Sequence, residues 1–166
     1  SQSSTGAAAR EIISNWHRRG RSTNSVFLGT TGTTKVRVSD AFSPAGILTK
    51  PSIPFILSAI NTANQASTFQ NSTLLATQAA LTPRVLSAPY VIGTQGNYGS
   101  EFWQGNIAEL LVFDHPLSEN DRDTVWSYLG SKYQLAVTPA RKTPEQLALA
   151  SLCHVILNTN EFIFID

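Results

Sequence analysis

The chain has 166 residues, 42% of them hydrophobic, enough for one core, and a domain of this size buries roughly 70% of the surface its unfolded chain exposes. Its formal charge of +1, from 12 basic and 11 acidic residues, leaves no electrostatic footprint for nucleic acid or an anionic membrane surface. The single cysteine, Cys153, excludes an internal disulfide and a cysteine-built metal site, and no apolar run approaches the ~20 residues of a membrane helix.

The opening SQSSTGAAA is small and polar without periodicity, and reads as a frayed end or loop. From Arg10, short apolar runs alternate with turn residues. REIISNW, SVFLGT and TKVRVSD are candidate strands, with TGTT turning between the last two. The basic cluster His17-Arg18-Arg19-Gly20-Arg21 falls between two of them and reads as a solvated loop. Breaks about every ten residues, marked by Gly, Asn and Thr, argue for an antiparallel all-β sandwich. FSPAGILTKPSIP carries three prolines, each missing a ladder donor, and reads as a connection. PFILSAINTA resumes a strand, STFQN and TLLATQ form a hairpin around Asn71-Ser72, and RVLSAPYVIGT is a further strand with Pro89 at an edge or bulge. The polar loop QGNYGSE leads into EFWQGNIAELLVFD, which reads as a long strand.

After Phe113 the period changes. Ser118 is an N-cap with Asp121 three residues on, and Val125, Leu129 and Tyr133 share one face, predicting a helix from about Glu119 to Tyr133. AVTPARKTP is a linker. Thr143 then caps, and Pro144 opens, a second helix through PEQLALASLCHVILN, apolar nearly all round, and EFIFID closes as a short apolar strand. A helix of that kind needs burial on more than one side. The expected organisation is a sandwich over 1–135 and, over 136–166, a tail that docks on another domain or chain.

FWQGNIAELLVFDHPLSENDRDTVWSYLGSKYQL resembles the C-terminal signature of laminin-G-like, concanavalin-A-like sandwiches of secreted bacterial proteins: an aromatic, a Gly two residues on, an Ile-Ala-Glu strand, an aromatic-Asp turn, Leu-Ser and a short helix. PEQLALASLCHVILNTNEFIFID is similar to the extreme C-terminus of large planctomycete-type proteins of unknown function that carry a cytochrome-c-like domain and often an inserted laminin-G-like module. The resemblances imply an exported, extracellular, periplasmic or cell-surface setting and a chain that is part of something larger. One departure matters. The W-x-D-x-S-G segment expected upstream of REIISNW is absent, so the sandwich is expected to lack N-terminal strands and to complete itself with another chain or an upstream fragment.

A retaining glycosidase needs two carboxyls roughly 5.5 Å apart. The long strand offers Glu101, Glu109 and Asp114, and eight residues of strand is roughly 26 Å, so no catalytic pair is expected. Glu109, in an otherwise uncharged run, reads as structural, bonded to a backbone group or an Arg. His17, His115 and His154 are scattered, without zinc spacing, and Cys153-His154 lacks the upstream Cys of a haem attachment motif. No cofactor is expected. Calcium stays open, since some laminin-G-like modules hold one, with Asp40, Asp114 and Asp121 as the loop aspartates.

Trp103 and Trp126 read as packing residues. Tyr98, flanked by Gly96 and Gly99 in a polar loop, has little to bury against, and with Gln95, Asn97 and Trp16 it forms the ligand-contact set expected of a glycan-binding surface. A Tyr98 folded back on the sandwich is the competing reading. The leading expectation is a non-catalytic recognition module with glycan as ligand, and the alternative is an architectural segment for protein–protein assembly.

Overall fold

Among the described residues the apolar runs form two antiparallel sheets that sandwich a common core, with a 15-residue helix outside them. The computed structural model describes residues 9–15, 26–39, 41–82, 89–95, 101–138 and 148. The N-terminal run before Ala9, the basic cluster, the second helix and the closing EFIFID lie outside these residues, apart from Ala148.

One sheet has the order β3–β2–β1–β7, from β1 (Ala9–Asn15), β2 (Val26–Thr31), β3 (Lys35–Val38) and β7 (Val91–Ile92). The other has the order β4–β5–β6, from β4 (Leu57–Asn61), β5 (Gln65–Gln70) and β6 (Thr73–Ala79). Period-two alternation decides which side chains meet between them. Val36 and Val38 of β3 and Ala66 of β5 point inward, and Leu28, Leu57, Leu75 and Ala76 pack against them. No helix among the described residues is long and apolar enough to cross a membrane.

The proline-rich connection is part of this core. Phe42, Ala45 and Leu48 are buried there, so irregular chain does the filling that a strand would otherwise do. Its backbone polar groups are met by side chains from β5: Gln70 accepts from the Thr49 N–H at 2.8 Å and donates to the Thr49 carbonyl at 2.7 Å, and Thr68 donates to the Ala45 carbonyl. The β5–β6 turn is the two-residue hairpin read from Asn71-Ser72. Both residues have positive φ (49° and 72°), as a type I′ turn requires.

Helix α1 (Glu119–Tyr133) has the predicted bounds and cap, with the Asp121 N–H donating to Ser118 Oγ at 3.2 Å. It meets the sheet of β4, β5 and β6 through Trp126 and Arg122. Trp126, 4% exposed, packs on Phe69 with ring centroids 5.1 Å apart and donates its indole N–H to Ser58 Oγ at 3.0 Å. Arg122 lies over both rings, at 4.9 and 5.0 Å from their centroids.

The long strand expected over 101–113 does not form. Phe102 makes an isolated parallel bridge with Glu11 and the Trp103 N–H bonds the Gly93 carbonyl, but residues 105–113 belong to no sheet. A strand needs a neighbouring edge, and β1 already has β2 on one side and β7 with Phe102 on the other. Of RVLSAPYVIGT, Val91–Ile92 form β7, and residues 84–88 lie outside the described residues.

Candidate functional site

Of the expected ligand set, Gln95 alone is among the described residues; Trp16, Asn97 and Tyr98 are outside them. Gln95 follows the β7 turn, where Gly93 takes φ 81° and the Thr94 carbonyl accepts from Ser14 Oγ at 3.0 Å. At 9% exposure the Gln95 side chain is buried, unlike an open sugar contact.

Beside it lies a feature the sequence reading missed. Glu11 on β1 is 1% exposed, and neither carboxyl oxygen completes a hydrogen bond of good geometry, although the Ser14 hydroxyl and the Glu101 carboxyl are adjacent. The backbone makes this meeting: the Glu11 N–H donates to the Glu101 carbonyl at 3.0 Å, and Glu101 itself sits at φ 62°. Burial, then the neighbouring Glu101 carboxyl, pushes the Glu11 carboxyl up to about 8, against a smaller downward pull from Ser14 and Arg37. Both causes favour the protonated form of Glu11 in the folded protein.

Gly29 lets the backbone of β1 come close at this point. It stands between Glu11 and Arg37 in the register of the sheet, and a side chain there would collide with the Arg10 carbonyl. Two carboxyls close together invite a catalytic reading, but a group with 1% exposure has no open route to a substrate in this conformation. The signal was in the sequence as a Glu inside the apolar run REIIS; its partner, ninety residues later, was not.

The second feature is an open cleft of about 750 Å³, bounded by β1 and β2 of one sheet, by β4 of the other, by segment 105–117 and by α1. Its walls are apolar: Ile13 and Leu28 on one side, Phe55 and Leu57 on another, Leu110 and Leu129 on a third. Leu111, Val112 and Phe113 are 42%, 61% and 44% exposed in consecutive positions, a density of exposed apolar surface that marks interaction sites. The outer edge of β4 has no strand beside it among the described residues.

Segment 105–117 is held to α1 through Glu109. Its carboxylate accepts from Lys132 Nζ at 3.0 Å, from Tyr133 at 3.0 Å and from Tyr128 at 3.2 Å. The partners are thus a lysine and two tyrosines, neither a backbone group nor an Arg as expected. The Lys132 contact, followed by those from the tyrosines, holds Glu109 below the usual carboxylate range despite some desolvation; Lys132 is raised in turn, by Tyr128 and then Glu109. Glu109 thus anchors to α1 a segment whose backbone is unpaired among the described residues.

Asp114 pairs with His115 at 2.6 Å, Asp121 accepts from Ser118 Oγ at 2.6 Å, and Asp40 lies outside the described residues. Among the described residues no three His, Cys, Asp or Glu side chains are grouped as metal ligands.

No protein-family model matches the chain, and no curated protein matches it. Among solved structures it is similar to an S-layer domain-containing protein (residues 221–444) from Clostridium thermocellum, at 13% identity and a TM-score of 0.40. The match covers 73% of this chain and 64% of that one, so the chain spans just under two thirds of that structure's length.

Proposed function

We propose that this chain is a non-catalytic assembly module of a larger exported protein, a laminin-G-like sandwich whose open side is completed by other polypeptide. The observation that carries this reading is the cleft of about 750 Å³ with apolar walls, flanked by exposed Leu111, Val112 and Phe113. A monomeric soluble domain rarely leaves such surface uncovered, because roughly 25 cal/mol is lost for each Å² of apolar surface left in water. A glycan contact at the loop after β7 has less support: the described member of that set, Gln95, is turned inward.

The test is the state of the purified chain. The expected outcome is strong binding of a hydrophobic dye such as ANS, with concentration-dependent association by light scattering, both reduced in a Leu111→Ser/Phe113→Ser double variant. A dye-silent, monodisperse monomer that unfolds cooperatively would overturn the reading.

A further inference from the structure

Two backbone edges that are unpaired among the described residues border the same cleft. One is the outer edge of β4, which pairs with β5 alone. The other is segment 105–113: among the described residues none of its backbone N–H or C=O groups has a hydrogen-bond partner. Its sequence, GNIAELLVF, has strand-forming residues and no proline, and the pairing that starts at Phe102 and Trp103 stops where this stretch begins. Local preference and local structure disagree here in the way expected of a strand whose neighbour is missing.

The charges indicate what kind of neighbour fits. The charged side chains lining the cleft are Glu109, Asp114, His115 and Arg122, and each has a partner within the protein: Lys132, each other, and Glu119 at 3.8 Å. Nothing in the cleft calls for a charged occupant, and its walls call for an apolar one. A small apolar molecule fills volume but leaves backbone groups unpaired. A helix satisfies its own backbone and likewise offers segment 105–113 nothing. An extended strand does both jobs: its main chain pairs with the open edge and its alternate side chains enter the cleft.

We propose that the cleft takes an extended β-strand from another polypeptide, uncharged and apolar at every second position, which pairs through its main chain with segment 105–113 and is walled by β4. This rests on the assembly reading and specifies its partner.

The experiment selects from a displayed library of random peptides of about nine residues, which span roughly 30 Å as a strand, on the immobilised chain. Enriched sequences are expected to carry apolar residues at period two. Binding is then measured for Leu110→Pro and Leu111→Pro. Neighbouring N–H groups in a strand point to opposite sides, so one variant is expected to lose affinity about tenfold or more, and the other to change far less. Among the described residues segment 105–113 has no backbone bonds to lose, so the urea midpoint of each variant, read beside its affinity, separates lost pairing from lost folding. Enrichment of peptides with helical spacing, or equal effects of the two prolines, overturns the strand proposal while leaving assembly standing. Failure to enrich any peptide overturns the strand proposal, and together with a dye-silent monomer it overturns both.

Discussion

Replacing Glu11 with glutamine tests the buried carboxyl directly, because the amide keeps the shape of a protonated carboxyl and cannot ionise. In the unfolded chain this group titrates near its ordinary 4.5, whereas in the folded protein burial and Glu101 hold it at about 8. Between these values the folded state keeps a proton that the unfolded state has released. Stability from this site is therefore fully present below the lower value and is lost as pH rises through the upper one. The steepest loss is about 1.4 kcal/mol per pH unit, and relaxation around the ionised group reduces it. Half of that slope still amounts to about 2 kcal/mol between about pH 5 and pH 8. Urea unfolding across that range should show the parent losing stability and Glu11→Gln losing much less, with the variant the more stable of the two at the alkaline end. Glu101→Gln should shift the parent's decline to lower pH without abolishing it, since burial is the larger cause. Superimposable pH profiles for parent and Glu11→Gln would refute the assignment of a buried, protonated carboxyl.

Gly29→Ala should cost about 2 kcal/mol or more, read from the urea midpoint, because its methyl group meets the Arg10 backbone across the sheet and neither strand can move away cheaply. Trp126→Ala should cost about 3–5 kcal/mol in the same assay, since it removes the contact with Phe69 and leaves Ser58 without its donor. Ser118→Ala should cost roughly 1 kcal/mol through the lost cap, with helicity by circular dichroism falling first at the α1 start. Val112→Ser, by contrast, should stay within about 0.5 kcal/mol of the parent, because Val112 is 61% exposed and packs against little.

What could be read from the sequence were the features that local chemistry decides. Ser118 and Asp121 marked the start of α1, and Asn71-Ser72 marked a turn that needs two left-handed residues. The three prolines marked a connection, although nothing in their spacing said that Phe42, Ala45 and Leu48 would be buried within it. The misreading of 101–113 as a strand has the same origin. Strand preference belongs to the segment, but pairing belongs to whatever lies beside it, and a single chain gives no sign of that neighbour. Glu11 and Glu101 stayed hidden for a related reason: their contact is made by a backbone bridge between residues far apart in sequence. Carboxyl spacing along one strand could not reveal it. Trp126 was read correctly as packing, because its place on the apolar face of a well-marked helix is itself a local property.

The core built around the proline-rich connection draws on residues between Leu28 and Leu81, one nearly continuous stretch of chain. Short loops close such contacts at small entropic cost, so this core is built from contacts local in the chain. The proposed strand-binding role would be served by this arrangement, in which the core contacts are local in the chain and segment 105–113 lies outside them. Amide exchange should therefore be slowest in β2, β3 and β5 and fast along 105–113, and a strand partner of the proposed kind would slow it there, joining to a scaffold already packed the one stretch whose amides lie open.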